Sequence, residues 1–178
     1  MIHLARHGQT AYNAEGRFQG HLPVPLDDTG REQARRLADA VAQVEVRGFV
    51  CSPLARARET AEIVAQRIGI EPEEDARFCE TDTGDWTDRF FTEIEAEDPE
   101  GFHRYETSDP TFRYPGGESF AEQSDRVQAG LADLRARPDA LPALVVCHRG
   151  VIRLALAVAT GDHTAGGREI GNATMVNV

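Results

Sequence analysis

The chain has 178 residues, of which 40% are hydrophobic, and a formal net charge of −11. That length suits one domain with a sizeable core, and the ordinary apolar content argues against disorder. The acidic balance argues against a nucleic-acid partner, which demands a basic face.

No apolar run approaches the ~20 residues of a membrane span, and the N-terminus lacks a basic-then-apolar leader. A cytoplasmic protein without a membrane partner is therefore expected. There is no lysine: all 19 basic residues are arginine.

Met1 to Ala5, apolar apart from His3, reads as a buried strand. It runs into Arg6-His7-Gly8, with Asn13, Gln19 and Gly20 close behind as candidate substrate contacts. A fixed cation beside an imidazole, on the loop leaving a first strand, suits a phosphate site. The Arg offers a bidentate fork to phosphate oxygens, and the His a neutral nitrogen that can attack phosphorus. Asp27 to Gly30 starts a helix whose apolar face is Ala34, Leu37, Ala38, Val41 and Val44. Gly48 breaks it before a second strand, Phe49-Val50-Cys51. Ser52-Pro53 caps and opens the next helix, with Leu54, Ala57, Ala61, Val64, Ala65 and Ile68 on its apolar face and a stop at Gly69.

Glu71 to Asp75 is an acidic connection, and Arg77-Phe78-Cys79 a short strand-like piece leading to Glu80. Residues 85–117 show no firm period. With one or two short helices they read as a lid or substrate wall, inserted into a single domain covering 1–178. Glu118-Ser119 begins a helix with Phe120, Val127, Leu131 and Leu134 on one face. Ala143 to Cys147 is the strongest strand in the chain, Val151 to Ala159 a helix apolar nearly all round, and Thr174 to Val178 a closing strand. Cys51, Cys79 and Cys147 are odd in number and scattered, which suits buried core thiols and no disulfide framework.

Strands alternating with amphipathic helices imply an α/β fold with a mostly parallel central sheet. Ligands of such sheets bind beyond the carboxyl ends of the strands. Arg6 and His7 follow the first strand, Arg56 lies shortly after the second, and His148 follows the Val-Val-Cys strand. All four should meet at one edge. Phosphoryl transfer needs an in-line nucleophile, neutralised oxygens and a proton for the leaving group. His7 would be the nucleophile, kept neutral by the charges of Arg6 and Arg56. His148 would donate to a phosphoryl oxygen, and Arg6, Arg56 and Asn13 would complete the cradle. No metal-ligand spacing is present, the arginines make a metal unnecessary, and no cofactor is expected.

Arg6-His7-Gly8-Gln9-Thr10, Tyr12-Asn13, Gly16-Arg17-Phe18-Gln19-Gly20, Pro25-Leu26, Thr29-Gly30 and Gln33-Ala34 together resemble the histidine phosphatase superfamily, the phosphoglycerate-mutase-like enzymes. The resemblance covers almost the whole chain. Ser52-Pro53-Leu54-Ala55-Arg56-Ala57, with Glu59-Thr60-Ala61, looks like the segment carrying the second phosphate-binding Arg. His148 occupies the place of the second catalytic His. Glu80, ahead of Gly84-Asp85-Trp86, matches the proton-donor Glu, although Asp82 and Asp85 lie near enough to compete. Gly116-Gly117-Glu118-Ser119 matches another recurrent piece.

The resemblance implies a phosphoglycerate-mutase-like three-layer fold with helices on both faces of the sheet. It also implies a metal-independent phosphomonoesterase of the histidine acid phosphatase type, acting on a small phosphorylated metabolite through a phosphohistidine on His7. Two departures bear on the leaving-group side. Arg149 stands where the family commonly has a second Gly after the catalytic His, as a cation for a second anionic group or as a solvent-facing side chain. Thr87-Asp88 follow Trp86 in place of Glu-Gly.

Three rivals stay in view. Cys147 to Arg153 also satisfies the Cys-x-x-Gly-x-x-Arg loop of cysteine-based phosphatases. Phosphoglycerate mutase shares the same core, but members with that activity resemble longer chains with extra basic residues. A non-catalytic phospho-ligand module would be expected to have lost a core His or Arg, and none is lost. Phe90, Phe91, Phe102, Tyr105, Phe112 and Tyr114 are candidates to contact an organic leaving group, and Arg104 and Arg113 to read a carboxylate. A sugar-linked phosphoglycerate and α-ribazole phosphate are both allowed, and a homodimer through a sheet edge or exposed helix stays open.

Overall fold

The computed structural model describes residues 1–161 and 170–178. Its organising strand is β4, Ala143–Cys147, all five residues of which are buried. A strand covered on both faces needs apolar side chains at every position, and Ala-Leu-Val-Val-Cys supplies them. β1 (Ile2–Arg6) and β2 (Gly48–Cys51) flank β4 in parallel, β3 (Glu73–Glu74) lies outside β2, and β5 (Met175–Asn177) runs antiparallel to β1. The order is β3-β2-β4-β1-β5.

Side chains of β4 alternate between two cores, as the two-residue period of a strand requires. Ala143, Val145 and Cys147 pack with Val127, Leu131 and Leu134 of α6 (Phe120–Arg135) and Val151, Ile152 and Ala155 of α7 (Arg149–Thr160). Leu144 and Val146 face Leu37, Ala38 and Val41 of α2 (Asp28–Val41) and Ala57, Ala61 and Val64 of α3 (Ala55–Ile68). The expected three layers are present. Each fully buried aliphatic side chain contributes ~1.5–3 kcal/mol.

Four local expectations need correction. Val44 lies beyond the end of α2 and is 39% exposed, so it is not part of the apolar face. Ser52 does not cap α3; the helix begins after Leu54, and the Ser52 hydroxyl instead accepts the Leu54 N–H and meets His148. Arg77-Phe78-Cys79 is not a strand. Ala76–Phe78 forms a 3-10 turn capped by the Asp75 carboxylate, which drives Phe78 fully into the core. The acidic connection holds the extra strand, since Glu73 and Glu74 pair with Val50 and Cys51.

Two short helices, α4 (Phe91–Glu97) and α5 (Pro99–Glu106), occupy the stretch that showed no firm period. Asp98 caps α5 and Pro99 takes its first position, where a missing N–H costs nothing. Phe18, Trp86, Phe102, Phe112, Tyr114 and Phe120 gather with Ile94 and Leu154 into a separate cluster. Edge-to-face contacts such as Trp86 on Tyr114, with centroids 5.3 Å apart, hold it. The remaining short helix is α1 (Ala11–Glu15), closed by a Thr10–Asn13 capping box. Among the described residues no helix is long and apolar enough to cross a membrane.

Candidate active site

The register of the sheet builds the site. Arg6 pairs with Cys147 and Cys51 with Val146, so the next residues, His7, His148 and Ser52, emerge side by side. The rings of His7 and His148 lie 5.2 Å apart. Beyond them opens a cavity of about 230 Å³ lined by Arg6, His7, Arg56, Glu80 and Arg149, among others.

His7 is held in one tautomer. Its Nδ1 lies 2.6 Å from the Gly8 carbonyl, which can only accept, so Nδ1 carries the proton and Nε2 keeps its lone pair. The loop is fixed by close backbone approach: a Cβ at Gly8 would stand 2.3 Å from the Gly30 carbonyl oxygen. Burial, then the charges of Arg56 and Arg6, hold the His7 pKa well below its ordinary value. Burial and Arg56 do the same to His148.

These two shifts have a stability consequence. In the unfolded chain both imidazoles take up a proton as pH falls through ~6.5. In the folded chain they stay neutral, so acidification below that value favours unfolding. The urea midpoint is expected to fall from pH 7.5 to 5.5, and His7→Ala should flatten that slope. A slope unchanged by the substitution would show that His7 protonates normally in the fold.

Arg56, in the first turn of α3, is 1% exposed and donates to the Gly20 carbonyl (2.9 Å) and the Leu22 carbonyl (3.3 Å). Gly20 has φ +48°, and a Cβ there would stand 2.5 Å from Thr83 Oγ1, so only glycine presents this carbonyl. Arg6 donates through Nη1 to the Ile170 carbonyl at 2.6 Å. Burial lowers both guanidinium groups to about 10, which leaves them charged at neutral pH. The Nε atoms of Arg6 and Arg56 and Nδ1 of His148 are buried without a hydrogen-bond partner among the described residues. Buried guanidinium donors such as the two Nε groups suit an oxyanion. Asn13 Oδ1 accepts from Thr10 and Asn172, which turns its NH2 away from those contacts, and Gln19 Oε1 sits 2.9 Å from Thr10 Oγ1.

His148 is fully buried beside His7 and is not among the residues that line the cavity. Its Nε2 lies 2.8 Å from Ser52 Oγ. Of the three acids read as rivals, Glu80 alone lines the cavity; Asp82 and Asp85 are exposed. The Glu80 carboxylate accepts from Thr81 N (3.0 Å), Gly150 N (3.3 Å) and Gln123 Nε2 (3.4 Å). A Cβ at residue 150 would stand 2.3 Å from Glu80 Oε1, so that glycine makes room for the acid. Asn13, Gln19, Gly20 and Arg149 also line the cavity.

Arg104 and Arg113 do not reach the cavity; Arg104 pairs with Asp109 and Arg113 with Glu122. Phe102 and Phe112 pack within the aromatic cluster, and Phe90 stacks under Arg17, so of the six aromatics only Phe91, Tyr105 and Tyr114 line the wall. Arg153, Gln123, Ser108 and Asn172 line it unannounced. Arg153 carried a signal, as the one cation inside an otherwise apolar helix. The cysteine-phosphatase reading fails here. Cys147 is a buried residue of β4 whose thiol is pushed up by burial, and Arg153 donates to the Tyr105 carbonyl and Ser108 hydroxyl, away from any thiolate loop.

A mostly parallel sheet with adjacent histidines at its carboxyl edge, beside the half-buried Arg6 and the buried Arg56, defines the class. The chain belongs to the histidine phosphatase superfamily, whose branch 1 model matches residues 2–178. The probable phosphoglycerate mutase GpmB of Salmonella choleraesuis (strain SC-B67) is 37% identical over 151 residues, covering 83% of this chain and 69% of the relative. A mycobacterial glucosyl-3-phosphoglycerate phosphatase in complex with VO3 superposes with a TM-score of 0.88 at 32% identity, over 98% of this chain and 90% of that one. A phosphoglycerate mutase from Thermus thermophilus does so with a TM-score of 0.78 at 30% identity, over 98% and 90%.

Proposed function

We propose that the protein is a metal-independent phosphomonoesterase for small phosphorylated metabolites, working through a phosphohistidine on His7. One observation carries the reading: Nδ1 of His7 is committed to the Gly8 carbonyl, which leaves Nε2 as a neutral nucleophile between the charges of Arg6 and Arg56. The Nε2 lone pair attacks phosphorus, the ester P–O bond breaks, and Glu80 gives its proton to the leaving oxygen. Water then attacks the phosphohistidine, Glu80 takes the water's proton, and the N–P electron pair returns to Nε2. Arg6 and Arg56 neutralise the phosphoryl oxygens in both steps, with Asn13, Gln19 and the Gly20 turn shaping the cradle. His148, beside His7 and held by Ser52, steadies the same charge. The cavity of about 230 Å³ suits a metabolite better than a macromolecule.

The name of the curated relatives favours a second reading, phosphoglycerate mutase, in which the phosphohistidine returns its phosphoryl group to another hydroxyl. One assay separates the two. Phosphate release from p-nitrophenyl phosphate in excess chelator is expected to proceed undiminished. A protein inert on phosphomonoesters that interconverts 3- and 2-phosphoglycerate would transfer the assignment to the mutase.

A further inference from the structure

The cavity wall holds cations that the chemistry above does not use. Of the arginines among the described residues, only Arg6, Arg56, Arg135, Arg149 and Arg153 have no carboxylate of another described residue within 4.0 Å. Arg135 is exposed; the other four line the cavity, and Glu80 is the only acid among the described residues of its wall. In a chain of net charge −11 this is a local inversion of sign.

Arg6 and Arg56 hold the phosphoryl group. Arg149 and Arg153 remain, one turn apart on the same face of α7. Their siting is unfavourable in three ways. Like charges four residues apart on a helix repel. Arg149 is the first residue of the helix, where the backbone dipole disfavours a cation. Arg153 is 4% exposed and so is withdrawn from water without an ion pair.

Arg153 spends its Nη2 on the last carbonyls of α5, Tyr105 (3.0 Å) and Glu106 (3.4 Å), and on the Ser108 hydroxyl; its Nη1 and Nε make no such bond. The Arg149 guanidinium donates to no group among the described residues. Its charge is felt at Arg6, whose pKa it lowers after burial does. An oxyanion between Arg149 and Arg153 would relieve all three costs.

We propose, on the phosphatase reading above, that Arg149 and Arg153 form a second oxyanion subsite on the leaving-group side of the cavity. The substrates are then phosphomonoesters whose alcohol carries a carboxylate or a second phosphoryl group. Titration calorimetry on His7→Ala protein, which binds without turnover, tests this with two matched pairs. 3-Phosphoglycerate is compared with glycerol 3-phosphate, and fructose 1,6-bisphosphate with fructose 6-phosphate.

The anionic member of at least one pair is expected to bind about tenfold tighter or more, as a charge-assisted Arg contact provides. The pair that shows it names the oxyanion. Adding Arg149→Gln should erase most of that preference, and this half-exposed side chain makes no hydrogen bond or ion pair among the described residues that the change would break. Equal affinities within both pairs, no binding by any of the four, or a preference that survives both Arg149→Gln and Arg153→Gln would overturn the subsite. Preference without turnover by the wild type keeps the subsite and removes the phosphatase. Turnover without preference does the reverse.

Discussion

In the His7→Ala protein, phosphate release from p-nitrophenyl phosphate is expected to fall ~10³-fold or more, while Cys147→Ala retains most of the wild-type rate. The asymmetry follows from what each side chain can do. His7 offers an uncharged ring nitrogen whose tautomer is fixed by a 2.6 Å bond to Gly8. No other nucleophile at the cavity has that preparation. Cys147 is fully buried within the sheet, and desolvation raises its thiol pKa, so it supplies no thiolate. Because the arginine cradle survives in His7→Ala, phosphate esters should still bind, and the loss should fall on kcat more than on KM. Base-quenched wild-type enzyme should gain the mass of one phosphoryl group during turnover, and His7→Ala should gain none. Activity of His7→Ala within tenfold of wild type, or a comparable loss in Cys147→Ala, would place the nucleophile elsewhere.

The parts of this site that were legible in the sequence are those tied to continuous local patterns. Three short apolar runs, leading into Arg6-His7, Ser52 and His148, identify parallel strands and the edge they share, and the register makes those residues neighbours. What escaped depends on partners far along the chain. Glu73 and Glu74 carry no apolar signal because both sides of that edge strand face solvent. Arg77-Phe78-Cys79 has strand composition, but the Asp75 cap and the pocket above Gly130 turn it into a 3-10 turn. Ser52 looked like a helix cap, and nothing local says that its hydroxyl is taken by a histidine 96 residues later. Gln123 supports Glu80 across 43 residues, a pairing no spacing rule discloses. The aromatics of residues 85–117 were visible as a set, yet only the packed cluster decides which of them face the cavity.

Glu80→Gln gives the sharpest test of the leaving-group side, because its cost depends on the substrate. The amide keeps the size of the carboxyl and, with its oxygen at the Oε1 position, the acceptor for Thr81 N–H and Gln123 Nε2; it gives up only the longer contact of Gly150 N–H with Oε2. It cannot deliver a proton. An alkoxide leaving without one is a poor leaving group, so hydrolysis of an alkyl phosphomonoester should slow by ~10²–10⁴-fold. p-Nitrophenolate is stable as an anion at neutral pH, so formation of the phosphohistidine from its ester should slow by about tenfold or less. The second step still lacks its base, because water attacking the phosphohistidine must lose a proton to Glu80. With the first step fast and the second slow, the variant should release a burst of one nitrophenolate per enzyme before its steady rate. Asp82→Asn, altering an exposed acid away from the cavity, should do none of this. If Glu80→Gln slowed both substrates by the same factor without a burst, Glu80 would be a structural support for the α7 entrance, and the proton would come from another group. A burst confined to the nitrophenyl ester requires a residue that acts on the leaving oxygen first and on water second, and among the acids at this edge only Glu80 stands at the cavity to do both.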